Sequence, residues 1–422
     1  MQPNFLQITS TLIFFIAIIH TFVVNKFKVI ANRSNKNSIS YHFWHLLSEV
    51  EIVFGLWSFI FLGIFALTQG VDPAVGYLES LNFTEPAFVF VIMSMAATRP
   101  IIYFAESIIR KGAKLLPFSE RISFYISALI IGPLLGSLIT EPAAMTVTAM
   151  ILLQNIYKEP ISLKLKYATI ALLFVNISIG GTLTHFAAPP VLMVASKWNW
   201  DTAFMFKNFG IKSIIAILCS TFLYAYIFRD ELKGTIKKMA PAGEYLIPRP
   251  WKIFIHLLFL ILVVIFAHHS KVFIAIFFLF IGFMMITQKY QDKMKIKESL
   301  LVSFFLAGLI CLGTMQAWWL NWLISKLGDL SLFFGATALT SISDNAAITY
   351  LGSLVDLSES SKYALVAGAV SGGGLTVIAN APNPAGFGIL GDSFGKEGIN
   401  PIRLLIWALI PTSIAIACYL LL

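Results

Sequence analysis

Apolar runs, each close to the roughly 20 residues that span a bilayer, recur along the whole chain between short polar segments. The first covers about residues 4–24. No basic segment precedes it and it is longer than a signal-peptide core, so it reads as a retained helix. The polar segments alternate in charge. Lys26, Lys28, Arg33 and Lys36 mark a cytoplasmic loop after the first span. Asp72, Glu79 and Glu85, with no Lys or Arg among them, mark an outer loop. Arg110, Lys111, Lys114 and Arg121 bring the chain back inside after a third span.

The alternation then breaks. The apolar stretch at about 122–156 is followed by Lys158, Lys164 and Lys166, so both of its ends belong to the cytoplasmic side. It is short for two full spans of roughly 20 residues plus a turn, and Thr140-Glu141-Pro142 lies in its middle. The pattern predicts a re-entrant hairpin, because polar backbone at membrane depth is tolerated where it lines a cavity. In the second half, basic loops at 229–252 and at Lys289, Lys293, Lys295 and Lys297 lie inside, and a span at about 299–323 leads out. The stretch at about 330–354 follows Lys326 and Asp329 and precedes Asp356 and Glu359, so this hairpin enters from outside. A long broken span at about 363–390 and a last helix from about Ile402 complete the chain.

The expected fold is therefore an all-α polytopic membrane protein of about ten transmembrane helices and two re-entrant hairpins. Residues 1–228 form a first repeat, 229–250 a cytoplasmic linker and 251–422 a second repeat. Each half holds an odd number of spans, five, plus one hairpin, so the two repeats have inverted topology.

Composition sharpens this picture. Of 422 residues 58% are hydrophobic, and the mean hydropathy is +0.82. Only 12% are charged, against roughly 25% in a soluble domain. The longest polar break, about 229–249, is too short for a folded aqueous domain, which excludes a membrane-anchored soluble enzyme. The net charge of +9 sits in loops between apolar spans and is no nucleic-acid signal. Cys219, Cys311 and Cys418 all fall in apolar segments and give neither a disulfide framework nor a metal-binding spacing. No nucleotide-binding glycine loop is present and no cofactor is expected, so a gradient would drive transport.

The repeat is also written in the letters. Ile139-Thr140-Glu141-Pro142-Ala143-Ala144-Met145-Thr146 aligns with Ile342-Ser343-Asp344-Asn345-Ala346-Ala347-Ile348-Thr349. Gly180-Gly181-Thr182-Leu183-Thr184-His185-Phe186-Ala187 aligns with Gly372-Gly373-Gly374-Leu375-Thr376-Val377-Ile378-Ala379, and each copy then runs into prolines. A hairpin that stops in mid-membrane leaves carbonyls free at the end of one half-helix and N–H groups free at the start of the next. Discontinuous helices at corresponding places in two halves point to a transporter's midplane site. Carbonyls, hydroxyls and carboxylates are hard ligands suited to a small cation. A buried acid that holds either a proton or a cation, but not both, suffices for coupled exchange. The plainer reading is that Glu141 and Asp344 cap the helices that begin there.

These residues carry a resemblance. Ser343-Asp344-Asn345-Ala346-Ala347, followed by the segment from Gly372 to Asn380, resembles the ion transporter superfamily of NhaD-type sodium/proton antiporters, arsenite permeases and dicarboxylate carriers. Within it the chain is most similar to a bacterial family of sodium/proton antiporters. The resemblance implies ion and substrate sites at Thr140, Glu141, Ser343, Asp344 and Asn345, and at Thr182, Thr184, Thr376, Asn380 and Asn383 on the broken spans. Glu141 and Asp344 would hold the transported monovalent cation. The chain departs from the pattern at Glu141-Pro142, where relatives carry Asp-Asn, and at Ala379, where they carry Gly. The implied partners are a monovalent cation, a proton and the lipid bilayer of a bacterial inner (plasma) membrane, with no nucleic acid and with a homodimer left open.

Other polar residues lie within or beside apolar runs. Arg99 sits deep in the third span with Glu106 on the same helical face, which predicts an ion pair or, alternatively, a charge partner for a tip acid. His185 adjoins a predicted helix break and is a proton-relay candidate or a packing histidine. Glu49 and Glu51 stand near the cytoplasmic entrance of the second span, and His268-His269 fall in a loop. The leading function is a secondary sodium/proton antiporter. Its alternatives are an anion, dicarboxylate or arsenite carrier and an intramembrane aspartyl protease.

Overall fold

The structure, a computed structural model, describes residues 3–234, 247–290, 294, 296–324, 326–395 and 398–422. Among these every regular element is helical. The expected linker at 229–250 thus lies partly outside the described residues, as do Lys293 and Lys295. In chain order the helices begin with α1 (Phe5–Arg33), α2 (Ile39–Leu47), α3 (Val53–Gln69), α4 (Val71–Ser80), α5 (Thr84–Ala96) and α6 (Arg99–Leu115). Then come α7 (Glu120–Ile139), α8 (Glu141–Leu152), α9 (Leu163–Gly180), α10 (Pro189–Trp198), α11 (Thr202–Met205) and α12 (Ile211–Ile227). The second half holds α13 (Pro250–Ile265), α14 (Ser270–Ile286), α15 (Ile296–Gly313), α16 (Ala317–Ile324), α17 (Asp329–Ile342) and α18 (Asn345–Ser353). It ends with α19 (Glu359–Gly372), α20 (Asn383–Gly391) and α21 (Pro401–Leu421).

Local chemistry explains many of the boundaries. Asn4 and Gln7 exchange hydrogen bonds in a capping box at the start of α1. Ser162 caps α9 and Asn400 caps α21. Proline occupies the first turn of α6, α8, α10, α13, α20 and α21, where its missing N–H costs nothing.

Among the described residues, six helical segments are long and apolar enough to cross a membrane: Phe5–Val24, Glu120–Ile139, Leu163–Leu183, Thr202–Ile227, Ile296–Ile324 and Pro401–Leu421. A seventh arises if α5 and α6, bent by 69° at their break, count as one span. Val53–Gln69, Pro250–Ile265, Ser270–Ile286 and Asp329–Ile342 are shorter apolar helices. The bend corrects the continuous third span read from the sequence. Arg99 is the first residue of α6, at a break, rather than a residue within an unbroken helix.

The chain packs as two compact units, each drawn from both halves. The first comprises residues 1–90, 296–327 and 350–358. In it α15 tightens into a 3-10 turn at Thr314–Gln316, and three successive carbonyls before that turn accept side-chain bonds. Thr314 Oγ1 donates to Ile310 O at 2.7 Å and Tyr77 OH to Cys311 O at 2.5 Å. Ser10 Oγ and Gln316 Nε2 donate to Leu312 O at 3.1 and 2.8 Å. Glu49 lies beside His45 and Lys297 at 3.6 and 3.7 Å, a surface cluster worth little energy.

The second unit comprises residues 91–295, 328–349 and 359–422. Here α7 packs against α8 and α9, α17 against α19, and α9 against α21. The side chains of α9 are buried almost throughout, so its sequence reads as a continuous apolar run with no lipid-facing stripe.

Candidate functional site

Two helix breaks interrupt the paired helices of the second unit. At the first, α7 ends at Ile139 and α8 begins at Glu141, with Thr140 between them at φ 71° and ψ 151°. That region is normally reserved for glycine, and a non-glycine residue there carries roughly 1–3 kcal/mol of strain, which in known proteins clusters at functional sites. At the second, α17 ends at Ile342 and Ser343 is extended at φ −147° before α18 begins at Asn345.

The two acids behave differently. Asp344 Oδ1 accepts from the N–H groups of Ala346 at 2.8 Å and Ala347 at 3.3 Å, so the capping reading holds for it. Glu141 makes no such bond and is fully buried. Its Oε2 accepts from Asn380 Nδ2 at 2.8 Å, while Oε1 has no hydrogen-bond partner. A carboxyl group in this position is costly unless something else compensates it.

The segments that follow α9 and α19 are fitted to these two breaks. A side chain at Gly181 would place its Cβ 2.3 Å from Glu141 Oε1, so backbone approaches the carboxylate where only glycine fits. In the second half a Cβ at Gly373 would fall 2.8 Å from Asn345 Nδ2. A threonine in each of these segments is also tied to the end of α7 or α17. Thr184 Oγ1 donates to Ser137 O, and Thr376 Oγ1 donates to Ser341 O, both at 2.8 Å. Ser137 Oγ further donates to Gly180 O at 2.7 Å and accepts from Leu183 N at 3.0 Å. Thr182 Oγ1 bonds to Ile179 O and to Ser213 Oγ, which in turn meets Tyr419 OH at 2.7 Å.

The remaining predicted oxygens gather in the second broken span. Asn383 Nδ2 donates to the carbonyls of Gly373 and Thr376, each at 2.8 Å. Buried atoms without a hydrogen-bond partner include Thr140 Oγ1, Glu141 Oε1, both polar atoms of the Asn345 side chain, Asn380 Oδ1 and Asn383 Oδ1. Most are oxygens able to ligate a cation, and all belong to residues that the sequence singles out. Among the described residues no group of three or more His, Cys, Asp or Glu could hold a metal ion.

Other expectations fare differently. Glu106 pairs with Arg110, four residues on along the same helix, at 2.7 Å. His185 Nδ1 bonds to Thr202 Oγ1 at 2.8 Å, and its ring stacks on His268 with centroids 6.0 Å apart. Neither of these contacts is with Glu141 or Asp344. Ser137, Ser213 and Tyr419 are not among the predicted residues. Their only signal is a hydroxyl within an apolar run, which is too common to stand out.

The chain matches, over residues 5–422, a family described as "Putative Na+/H+ antiporter". The chain belongs to this family. It is therefore a transporter and not an enzyme, which removes the intramembrane protease alternative. Together with the apolar helices, membership makes it an integral membrane protein, and the antiporter family implies a cation and a proton as transported species. Comparison with curated proteins gave no significant match.

Proposed function

We propose that this antiporter exchanges sodium, or another monovalent cation, for protons at a site built from two re-entrant hairpin tips in inverted repeats. The observation that carries the reading is Glu141: fully buried, held on one oxygen by Asn380, with the other oxygen unpartnered and packed against glycine backbone. An acid in such a setting is served in turn by a proton or by a desolvated cation. Neighbouring hydroxyl and amide oxygens at Thr140, Asn345, Asn380 and Asn383 supply the uncharged ligands that a small cation needs. Thr182, Thr184, Ser343 and Thr376 shape the breaks. Asp344 is the second acid, and Arg99, at the bend between α5 and α6, is the candidate charge partner. The setting is the bacterial inner membrane.

The proposed architecture of ten spans and two hairpins has independent support. Ser178 Oγ on α9 donates to Val370 O on α19 at 2.7 Å. Residues 178 and 370 are equivalent when Gly180 is aligned with Gly372. Contact between equivalent positions is what a two-fold axis relating the halves produces. The α7–α8 and α17–α18 pairs are then the two hairpins, and α3, α13, α14 and the broken α19–α20 segment make up the remaining spans.

The test is cation-induced dequenching of a pH dye in proteoliposomes, wild type beside Glu141→Gln and Asp344→Asn. Sodium is expected to move protons in the wild type and in neither variant, with both variants folded. Activity retained in Asp344→Asn would sink the two-acid mechanism. A wild type silent to every monovalent cation would favour an anion or oxyanion carrier.

A further inference from the structure

We infer that Asn380 is a coupling residue, making the two acidic tips load and unload as one unit. The inference rests on the exchange reading above. Asn380 comes from the second half of the chain, yet its Nδ2 donates to Glu141 of the first half at 2.8 Å. One residue earlier, Ala379 O accepts from Asn345 N at 3.1 Å, at the head of the helix that Asp344 caps. Adjacent residues of one loop therefore grip both tips.

The loop is built to carry displacement. Asn383 Nδ2 clamps it by bonding the carbonyls of Gly373 and Thr376 at 2.8 Å, and Asn383 N donates to Asn380 O at 3.0 Å. Thr376 Oγ1 ties it to Ser341 O at the end of α17. The second tip thus holds the loop on both sides of its own break, through Ser341 and through Asn345. A shift of that tip on ion binding has to move Asn380, and Asn380 holds the Glu141 carboxylate. Glu141, Asn345, Ala379 and Asn380 are all buried, so no water takes over these bonds at small cost.

The two copies of the repeat differ at this link. The first-half equivalent of Asn380 is Ala188, which has no side-chain donor to offer Asp344. Asp344 Oδ1 accepts from the N–H groups of its own helix start. The repeat is thus broken at the position where Asn380 reaches across to Glu141. A coupling of this kind typically changes one site's affinity about 5–150-fold when the other is occupied.

The experiment measures sodium uptake and proton movement in the same proteoliposomes for wild type and Asn380→Ala, with melting in detergent as the check on folding. The readout is protons moved per sodium, which a general loss of packing would not alter. Asn380→Ala is expected to lower that ratio about fivefold or more, at whatever reduced rate sodium crosses. An unchanged ratio at any rate, or loss of both fluxes together from a folded protein, overturns the inference. A wild type without sodium-driven proton movement overturns the exchange reading itself. A second pair isolates the backbone bond. Asn345→Pro removes the N–H that Ala379 accepts, whereas Asn345→Ala keeps it, and proline is native at the equivalent Pro142. The proline variant is expected to show the lower ratio; equal ratios would refute the loop as the link.

Discussion

At the scale of single residues, the site is a matter of which atoms approach a buried carboxylate. Gly181 brings bare backbone to Glu141, and a methyl group there would lie 2.3 Å from Oε1. Either the carboxylate or the turn must move. Gly181→Ala is therefore expected to abolish exchange and to cost about 1–3 kcal/mol of stability, the usual toll of overpacking. Gly282→Ala is the control, since its added Cβ meets nothing within 4 Å and helical alanine gains roughly 0.5–1 kcal/mol over glycine. Thermal melting and dye dequenching on both variants check this; an active, stable Gly181→Ala would mean that the carboxylate has room the structure does not give it. Residues of this kind were largely legible. Glu141, Asp344 and the glycine pairs are conspicuous in an apolar chain and recur in two aligned copies, whereas Asn380 stands opposite Ala188. The partners they take were not legible, because Asn380 and Glu141 lie 239 residues apart and only the fold brings them together.

At the scale of elements, the breaks are stabilised by side chains that replace lost helical bonds. Ser137 is the clearest case, serving Gly180 O and Leu183 N with one hydroxyl. Ser137→Ala removes both of these bonds, at a cost of about 0.5–1.5 kcal/mol each. A clearly lower melting temperature and impaired exchange are expected, and a melting curve superimposable on wild type would show that the break is held by packing alone. The hairpin breaks are legible because an acid or hydroxyl interrupts an apolar run there. The bend between α5 and α6 is much less so. Pro100 in the first turn of α6 is a helix-start signal, but Arg99 beside it reads equally well as a lone charge in a continuous span. The 3-10 turn after Gly313 is fainter still, since its support comes from Ser10, more than three hundred residues away, and from Tyr77.

At the scale of the whole molecule, sequence order and packing diverge. The halves of the chain follow one another in sequence, whereas each compact unit takes helices from both. Charge counting gives orientation without reference to packing, because it reads loops rather than cores. It also makes a claim that a parallel repeat would not satisfy. If the halves are inverted, the base of the α7–α8 pair faces the cytoplasm and the base of the α17–α18 pair faces outward. Lys158 and Asp356, both exposed, follow the two pairs. In a background without Cys219, Cys311 and Cys418, a cysteine at 158 is expected to react with an impermeant maleimide only from the cytoplasmic side, and one at 356 only from the outside. Of the native cysteines, Cys311 and Cys418 are buried and Cys219 is exposed, so removing Cys219 matters most for a clean background. Labelling of both positions from one side would make the repeats parallel. The two acids could then no longer be reached alternately from opposite faces by symmetry-related gates, and exchange would need a different route through the same residues.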